Sequence, residues 1–453
     1  MQTNLIRKYN VAGPRYTSYP TVPYWEDSSF SLHAWKERLR RSYVESKHNG
    51  ISLYIHLPYC ESMCTFCGCN KRITKNHLVE IPYIKTLLIE WDLYTALFDE
   101  VPVVKEVHLG GGTPTFFSPE NLRLLLEGLF RDKSQRAEAK LSFEGHPNNT
   151  TSKHLKTLAD LGFKRVSFGV QDYNEKVQKA IHRVQPFENV ANATRLAREN
   201  GFSSVGHDII FGLPFQTTKD IEHTIALTKK MMPERIAFYS YAHVPWIKGN
   251  GQRGFKDEDL PKPEEKKAQF ELGKQLLLEA GYQEIGMDHF ALPKDELAKN
   301  QHTKKIHRNF MGYTTETTQI MIGLGVSAIG DSWYGFGQNV KNIEEYKNFV
   351  ERGSFPIYRG HILNDEDLVI RRHILNLMCK LETSWQDEKL LFPELPDVLI
   401  KLKEMENDGI LKIGDKNITI TEKGRAFVRN VCMAFDLRLQ RNKPETKLFS
   451  MTI

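Results

Sequence analysis

The sequence has few cysteines and no long apolar run. Only six of its 453 residues are cysteines, and no stretch of about eighteen consecutive apolar residues is available for a transmembrane helix. Residues 1–10 lack the apolar core of a signal peptide. Unpaired thiols in a large chain are typical of a reducing compartment. We therefore expect a cytoplasmic protein with no membrane partner and no disulfide framework.

Internal repeats and low-complexity tracts are also missing, and the charge is mild. The formal net charge is +6, and a chain of 453 residues is long enough for two or more domains. The sequence contains no helix with a basic stripe of the kind that binds DNA, so we expect no nucleic-acid partner. A mildly basic chain is compatible with a small polyanionic substrate.

Four of the six cysteines lie within ten residues. They occur in the run His56-Leu-Pro-Tyr-Cys-Glu-Ser-Met-Cys-Thr-Phe-Cys-Gly-Cys69. The C-x3-C-x2-C spacing places three thiolates on one loop, whereas a closed 4Fe–4S site needs four protein ligands. An iron without a protein ligand can bind and reduce a small molecule, as in radical chemistry based on S-adenosylmethionine (SAM). We predict that Cys60, Cys64 and Cys67 hold one 4Fe–4S cluster and that Cys69 does not bind it.

A structural zinc site is the main alternative for these cysteines. Zinc sites usually use two short pairs of ligands that are separated by a dozen or more residues. Four cysteines on one loop, with Cys67 and Cys69 only two positions apart, fit that pattern poorly. The remaining cysteines, Cys379 and Cys432, lie far along the chain, and we expect neither to bind the cluster.

The middle of the chain alternates strand-like and helix-like segments. Short β-branched or aromatic runs are followed by amphipathic patterns such as 120–131, 153–161 and 219–231. The six predicted strands are 52–57, 105–109, 140–145, 165–170, 204–211 and 235–241. Repeated βα units form a parallel sheet, so we predict an α/β fold with a partial or complete barrel. In such barrels the chemistry lies on the loops after the carboxyl ends of the strands.

Glycine and polar residues cluster at these predicted strand ends. The cysteine loop follows the first strand, and Gly110–Gly112 follow the second. Three glycines let the backbone approach a ligand closely and leave amide groups free to bind it. The later strands end in Glu144, Gln171–Asp172, Asp208 and Tyr241–His243. Each residue alone fits a cap or loop ion pair equally well, but together they predict one binding rim.

The segments on both sides of the barrel have different patterns. An extended run, 13–20, and a basic amphipathic helix, 32–46, precede it. After residue 355, two helical patterns come before a short hairpin and another helix, which predicts a mainly helical, winged-helix-like domain. We therefore divide the chain into three parts: 1–48, an N-terminal extension that covers the active site; 49–355, the barrel; and 356–453, the C-terminal domain.

Two segments away from the cysteine loop combine cationic and aromatic residues. The first contains Arg15, Tyr16 and Tyr19, and the second is His307-Arg-Asn-Phe-Met-Gly-Tyr313. Such a mixture of donors and rings could hold a flat macrocycle that carries carboxylates. A loop core of satisfied polar groups is the simpler alternative. The predicted substrate-binding residues are Arg15, Tyr16, His307, Arg308 and Asn309.

Taken together, these segments resemble one enzyme family. The run from Ile55 to Asn70 is similar to the radical SAM signature of oxygen-independent coproporphyrinogen III oxidases. The similarity extends over nearly the whole chain. It includes the segments 8–10, 13–21, 286–290, 307–310, 429–433 and 435–436. The front segment separates this family from the related haem chaperones, which are shorter and lack it.

The resemblance implies a radical SAM oxidoreductase of anaerobic haem and porphyrin biosynthesis with a partial (β/α) barrel. Such an enzyme uses a 5′-deoxyadenosyl radical to convert two propionate groups of coproporphyrinogen III into vinyl groups, which gives protoporphyrinogen IX. It also implies two SAM molecules per active site and an unidentified low-potential electron donor, and we expect a monomer. The matching SAM contacts are Tyr54, Phe66, Gly111, Glu144 and Ile329 for the first molecule, and Gly112, Thr113, Gln171, Arg183, Asp208 and Ala242 for the second.

The chain departs from the family pattern at two places. Met311 stands where the best-known members have glutamine, and residues 316–319 also differ. Both lie near the expected substrate or second SAM. Three other functions stay open: a haem chaperone that binds without converting, a radical SAM enzyme for another tetrapyrrole, and a zinc-containing protein that reads DNA with its C-terminal domain.

Overall fold

A large mixed sheet organises the chain. The structure is a computed structural model, and it describes residues 2–26, 28, 30–136, 138–245, 251–252, 254–444 and 448–452. The strands are β1 Ile51–Leu57, β2 Tyr59–Cys60, β3 Arg72–Ile73, β4 Val104–Gly111, β5 Lys140–Gly145, β6 Phe163–Gln171, β7 Ser204–Phe211, β8 Arg235–Ser240, β9 Gln283–Gly286, β10 His289–Ala291, β11 His307–Asn309, β12 Gly312–Thr314, β13 Met321–Leu324, β14 Ile329–Asp331, β15 Gly335–Asn339, β16 Ile357–Ile362, β17 Glu382–Ser384, β18 Leu411–Ile413 and β19 Asn417–Ile420. The helices are α1 Gln2–Tyr9, α2 Leu32–Ser46, α3 Glu80–Thr95, α4 Pro119–Leu129, α5 Ser152–Asp160, α6 Glu175–Ala180, α7 Phe187–Glu199, α8 Thr218–Met231, α9 Pro263–Glu279, α10 Glu296–His302, α11 Ile343–Glu351, α12 Asp365–Lys380, α13 Leu395–Asn407, α14 Val428–Phe435 and α15 Leu437–Arg441.

The sheet is a partial barrel. Its order is β16-β15-β14-β13-β1-β4-β5-β6-β7-β8-β10-β9. The strands from β13 to β8 in this order pair in parallel, and antiparallel strands extend the sheet at both ends. The outermost strands, β16 and β9, do not pair with each other in the part of the chain that the structure describes. The prediction of an α/β fold with an incomplete barrel is therefore confirmed.

The six predicted strands all form at their predicted places. Strands β1 and β4 are buried along almost their whole length, because the parallel sheets of α/β proteins are shielded from solvent on both faces. This is why they read as apolar runs in the sequence. A further parallel strand, β13, was not predicted. It has only four residues, one of them a glycine, and it becomes a strand by pairing with β1.

The C-terminal region contains α12 to α15 and a small sheet in the order β17-β19-β18, so the expectation of a mainly helical C-terminal part with a hairpin is confirmed. Strand β16 lies just after the predicted border at residue 355 and pairs with β15 of the large sheet. The division into three domains stays a prediction. Among the described residues, no helix has the length and apolarity that crossing a bilayer requires.

The front segment is built into the C-terminal core. Leu5, Tyr16 and Tyr19 belong to the same buried cluster as the apolar residues of α12 and α14. Arg429 donates hydrogen bonds to the carbonyl oxygens of Pro14 (2.8 Å) and Gly13. Deleting this segment would therefore expose the core of the C-terminal region as well as any site that the segment covers.

Helix α2 packs on the antiparallel side of the sheet through one tryptophan. Ser31 caps the helix by accepting a hydrogen bond from the Ala34 amide (3.1 Å). Trp35 is only 1% exposed, and its ring lies against glycine backbone of β14 and β15. A Cβ atom added to Gly330 or Gly337 would come within 3.1 or 3.2 Å of the indole ring. The glycines in these strands thus make room for the ring.

We expect Trp35→Ala to lower the free energy of unfolding by about 3–5 kcal/mol, because the cavity left by a buried tryptophan cannot close fully. Val44→Ala on the same helix is the matched control, since Val44 is 72% exposed and such changes stay within about 0.5 kcal/mol. Urea unfolding followed by tryptophan fluorescence and circular dichroism measures both. Equal midpoints for the two variants would contradict this account of the packing.

Candidate functional site

The cysteine loop begins just after β1 and borders one open cavity. Cys60 lies in the short strand β2. Cys60 and Cys64 are buried, Cys67 is half-buried and Cys69 is exposed. All four line a cavity of about 1110 Å³, its open mouth included. Their sulfur atoms form no disulfide bonds, so the structure gathers the predicted ligands at one place as thiols.

Two cations lie beside the thiols. Arg183 Nη1 is 3.7 Å from the sulfur of Cys64, and Lys71 Nζ donates to the carbonyl oxygens of Cys67 (3.1 Å) and Cys69 (3.4 Å). A hydrogen bond from Cys69 lowers the pKa of Cys67, and Lys71 and Arg183 lower it further. The thiolate is the form that binds metal, and nearby cations stabilise it at Cys67, whereas burial raises the pKa of Cys60 to about 11, so a bound metal has to displace the proton of that thiol. Three thiols of one loop at one cavity are the donor set that suits an iron–sulfur cluster with one open iron.

The glycine run at the end of β4 holds the cysteine loop in place. The amide of Gly112 donates to the Leu57 carbonyl (2.8 Å), and the amide of Thr113 donates to the Tyr59 carbonyl (3.0 Å). A Cβ on Gly112 would come within 2.6 Å of the Pro58 oxygen. The expectation that the glycine amides stay free for a ligand is therefore wrong for Gly112, because the neighbouring loop uses its amide.

Two carboxyl groups form the opposite wall of the cavity. Glu144 ends β5, with Oε1 3.4 Å from Nε2 of His108. Asp208 lies in β7 and accepts a hydrogen bond from Ser167 Oγ (2.9 Å). Burial raises the pKa of Asp208 to about 7. Carboxyl groups at a cavity wall can bind ribose hydroxyls or an ammonium group, both of which SAM carries.

Arg183 is fixed on the cavity wall rather than solvated on a helix surface. Its Nη2 donates to the Gly169 carbonyl (3.0 Å) and its Nε donates to Oε1 of Gln185 (3.1 Å). Gln185 is itself fully buried and donates to the carbonyls of Gly169 (2.8 Å) and Val170 (2.7 Å). Gln185 was not predicted from the sequence. Its position two residues after Arg183 was the only signal of its role in holding that arginine.

Gln171 is placed at the cavity by an unusual backbone conformation. Its φ of 68° lies in the left-handed region, at the end of β6. The next residue, Asp172, is buried and accepts hydrogen bonds from Gln216 Nε2 (2.7 Å) and the Asn174 amide (2.6 Å). Burial raises the pKa of Asp172 to about 7. Asp172 therefore anchors the turn that aims Gln171, and it does not itself line the cavity.

The cavity brings most of the predicted cofactor contacts together. The predicted residues that line it are Cys60, Cys64, Phe66, Cys67, Gly111, Gly112, Thr113, Glu144, Gln171, Arg183 and Asp208. His146, Asn148 and His182 also line it and were not predicted. Their signal was weak: His146 and Asn148 follow β5 directly, and His182 precedes Arg183. The roles of all these residues stay predictions.

Three predicted cofactor contacts lie outside this cavity. Tyr54 stands behind it, with its hydroxyl 3.0 Å from Nδ1 of His56. Ile329 packs in the apolar cluster around Trp25. The carbonyl of Ala242 accepts a hydrogen bond from Gln252 Nε2 (3.0 Å), which also donates to the carbonyl of Phe66 (3.1 Å). Ala242 is thus tied to the cysteine loop through one glutamine.

A second cavity of about 670 Å³, its open mouth included, adjoins the first. The two share Glu144, Ser167 and Asp208 as lining residues. The second cavity extends into the barrel towards Tyr239 and Tyr313, and Met311, which departs from the family pattern, also lines it. The open cavity at the cysteines therefore continues inside the sheet.

Two of the predicted substrate residues meet beside the rings of Tyr239 and Tyr313, which line this second cavity. Arg15 forms an ion pair with Asp288 and lies 5.9 Å from the ring of Tyr239. Arg308 donates to the Arg15 carbonyl (3.3 Å) and lies 4.6 Å from the ring of Tyr313. Nε and Nη1 of Arg308 are buried without a hydrogen-bond partner among the described residues. Burial and the neighbouring Arg308 lower the pKa of Arg15.

The other predicted substrate residues are Tyr16, His307 and Asn309, and their surroundings differ from those of the two arginines. Tyr16 is buried, and its hydroxyl donates to Oδ2 of Asp436 (3.1 Å). Burial, with Arg371 and Arg372 nearby, lowers the pKa of His307 to about 4. Oδ1 of Asn309 accepts a hydrogen bond from the Met311 amide (2.8 Å). The structure therefore brings Arg15 and Arg308 together, whereas Tyr16 and Asn309 form hydrogen bonds elsewhere within the protein.

Comparisons with known proteins agree with this site. Residues 54–228 match the Radical SAM superfamily. The oxygen-independent coproporphyrinogen III oxidase of Helicobacter pylori (strain J99) is 38% identical, and the alignment covers 98% of both chains. The Escherichia coli (strain K12) protein of the same name is 37% identical over 99% of this chain and 98% of its own. The solved structure of coproporphyrinogen III oxidase (HemN) from Escherichia coli superposes with a TM-score of 0.89 at 35% identity, over 96% of this chain and 98% of that chain.

The fold and the cysteine loop define a radical SAM oxidoreductase, a class that uses a 4Fe–4S cluster and SAM. Within this class, the chain belongs to the family of oxygen-independent coproporphyrinogen III oxidases. The resemblance found in the sequence is therefore confirmed over nearly the full length.

We expect Gly112→Ala to weaken SAM binding about tenfold or more, a loss of about 1.4 kcal/mol, because the new Cβ displaces the backbone that precedes Cys60. Gly68→Ala is the matched control in the same loop, since a Cβ there meets no atom within 4 Å. Isothermal titration of the anaerobically reconstituted proteins with SAM gives both affinities. If Gly112→Ala binds SAM with wild-type affinity, the close contact between Gly112 and Pro58 is not required for SAM binding.

Proposed function

We propose that the protein converts coproporphyrinogen III into protoporphyrinogen IX in anaerobic haem biosynthesis, by oxidative decarboxylation of two propionate groups to vinyl groups. The observation that carries this proposal is the junction of two sites. A cavity with three predicted cluster ligands opens into a second cavity that Tyr313 lines. Arg308, a buried arginine with two nitrogen atoms that lack a hydrogen-bond partner among the described residues, lies 4.6 Å from the ring of Tyr313. A cluster site beside a carboxylate site is what this reaction requires.

The three thiols of Cys60, Cys64 and Cys67 would hold the cluster and leave one iron to SAM. When bound, the cluster supplies the low-potential electron that cleaves SAM and starts hydrogen abstraction from the substrate. Arg183 is suited to the SAM carboxylate, because it is held by Gly169 and Gln185 with its Nη1 toward the cysteine loop. Such positioning, with the exclusion of water, is the contribution of the protein.

Two SAM molecules per active site are part of the proposal. Residues from both predicted sets of contacts line the same cavity. The first set is represented there by Phe66, Gly111 and Glu144, and the second by Gly112, Thr113, Gln171, Arg183 and Asp208. A stoichiometry of two SAM molecules per chain in equilibrium dialysis supports the proposal, and a stoichiometry of one contradicts it.

Arg308 and Arg15 are suited to the propionate groups of the substrate. Coproporphyrinogen III carries carboxylates, and guanidinium groups bind carboxylates with paired hydrogen bonds. A buried donor without a partner is costly, so the free Nε and Nη1 of Arg308 favour an anionic ligand. The rings of Tyr239 and Tyr313 beside these arginines offer flat surfaces for a macrocycle.

The remaining parts of the proposal rest on the sequence. They are a cytoplasmic location, a monomeric state, a low-potential electron donor, and the absence of nucleic-acid and membrane partners. The central experiment is an anaerobic assay of the reconstituted protein with coproporphyrinogen III, SAM and dithionite. Protoporphyrin after oxidation is the expected product. Bound haem without turnover would instead indicate a haem chaperone, and conversion of a different tetrapyrrole would indicate another radical SAM reaction.

Cys64→Ala is expected to abolish both cluster incorporation and turnover, because two protein ligands cannot hold the cluster in place. Cys69→Ala is expected to keep its iron–sulfur absorption. Cys379→Ala is the control for the cluster alone and is expected to keep its iron–sulfur absorption, since Cys379 lies outside the cysteine loop in the apolar cluster that contains Tyr313. Iron and sulfide analysis with visible absorption measures the cluster. A Cys69 variant without iron would contradict the assignment of three ligands, and zinc in the wild-type protein would favour the zinc alternative.

We expect Arg308→Met to raise the KM for coproporphyrinogen III about tenfold or more, because a charge-assisted bond to carboxylate contributes about 1.5–3 kcal/mol. SAM affinity is expected to stay at the wild-type value, since Arg308 does not line the cysteine cavity. Arg308→Lys, which keeps the charge, is expected to recover part of the loss. Unchanged KM in both variants would exclude Arg308 from substrate binding.

A further inference from the structure

The surface directly outside the cysteine loop is close to a predicted cluster ligand. Strand β3 pairs with β2 so that Ile73 is the partner of Cys60. Neighbouring strands lie about 5 Å apart, and β3 is exposed. We define the β3–α3 surface by Arg72, Ile73, Lys75, Leu78 and Ile81. None of these five residues lines the cysteine cavity, so a partner bound here would leave that cavity open.

This surface exposes apolar side chains. Leu78 is 83% exposed, Ile81 is 45% exposed and Ile73 is 40% exposed. Single exposed apolar residues are ordinary on protein surfaces. Three of them on one segment of nine residues, next to a redox site, are more typical of a contact surface.

The same segment is held rigidly. Asn76 Oδ1 accepts the Leu78 amide (3.0 Å), and the ring of His77 stacks on Phe116 at 4.5 Å. Nδ1 of His77 lies 2.6 Å from Oε1 of Glu80. Glu80 is buried, and its Oε2 accepts hydrogen bonds from the Ser118 amide (2.8 Å) and Asn121 Nδ2 (2.7 Å). Leu78 is therefore fixed in an outward position between two anchored neighbours, and binding there would need little ordering of the backbone.

The charge of the surface is positive. Between Asn70 and Val79 the chain has three cations, Lys71, Arg72 and Lys75, and no carboxylate. Exposed Lys85 follows Ile81 by one helical turn. The opposing charges nearby are Glu344, 3.6 Å from Arg72, Glu61, 3.8 Å from His77, and the buried Glu80, 2.6 Å from His77. Lys71 lines the cysteine cavity, so the exposed charges around the apolar residues are three cations, Arg72, Lys75 and Lys85, and two carboxylates, Glu61 and Glu344.

We propose that the β3–α3 surface docks a small acidic one-electron carrier protein that reduces the cluster. The inference rests on the proposed function, which consumes an electron delivered from outside. The carrier is oxidised by one electron and the cluster is reduced by one electron, with no atom transferred. Apolar contacts inside a basic rim suit a weak, short-lived redox complex, which buries less area than a permanent dimer. Charge complementarity raises the rate of encounter with an acidic partner.

The test compares two reductants on the same variants. Leu78→Asp and Lys75→Glu change the surface, and Ile400→Asp and Lys412→Glu are the matched controls on exposed positions of the C-terminal region. Each holoenzyme is assayed with dithionite and, separately, with a limiting amount of an acidic flavodoxin that is kept reduced by NADPH and its reductase. Protoporphyrin formation is the readout in both assays.

With flavodoxin, we expect Leu78→Asp and Lys75→Glu to lower turnover about tenfold or more, a change typical of lost steering and contact at an interface. With dithionite, turnover of both is expected to stay within about twofold of wild type, because surface changes rarely alter the fold. A higher salt concentration is expected to lower the flavodoxin-driven turnover of the wild type and to lower that of Lys75→Glu much less. The control variants are expected to match the wild type with either reductant.

Equal flavodoxin-driven turnover in the wild type and in Lys75→Glu would overturn the docking proposal. A wild-type dimer that Leu78→Asp converts into a monomer in sedimentation would also overturn it, since the surface would then bind a second copy of the chain. If Leu78→Asp alone loses dithionite-driven turnover, that variant is misfolded. The docking proposal is then decided by the flavodoxin-driven turnover of Lys75→Glu and its dependence on salt. Absence of dithionite-driven turnover in the wild type itself contradicts the proposed function and not the docking surface.

Discussion

The position of the cysteine loop is the constraint on which the site depends. Three separate elements hold this loop from different sides. The end of β4 binds it through Gly112 and Thr113, the end of α6 binds the amide and hydroxyl of Thr65 (both 3.0 Å), and Gln252 binds the carbonyl of Phe66. A loop fixed in this way keeps its thiols at one cavity, and a fixed loop lowers the ordering free energy that binding costs.

Acidic and basic side chains lie at different places along the two adjoining cavities. The carboxyl groups of Glu144 and Asp208 lie at their shared wall, where a cationic sulfonium compound would be favoured. The half-buried guanidinium group of Arg15 and the buried one of Arg308 lie beyond them, beside Tyr239 and Tyr313. The front segment that carries Arg15 is anchored in the C-terminal core, so the carboxylate side of the site depends on contacts between residues about 400 positions apart, such as Tyr16 and Asp436.

Local patterns in the sequence were sufficient to predict the positions of the cysteine loop and of the main strands. Cysteine spacing is a property of ten consecutive residues, and strands buried on both faces read as apolar runs. Strand β13 was missed because its short run with a glycine has no clear period. Gln185 was missed because its role depends on two carbonyls of β6. The hydrogen-bond partner of Tyr16, Asp436, lies 420 positions along the chain, and no local pattern specifies it.

The central claim is a cluster held by three cysteines with one iron open to SAM. Mössbauer spectroscopy of the protein reconstituted anaerobically with iron-57 tests this most directly, before and after SAM is added. The account predicts that one iron of the four in the cluster changes its isomer shift on binding SAM while the other three keep theirs. Spectra in which no iron responds to SAM, or a purified protein that contains zinc in place of iron and sulfide, would contradict it.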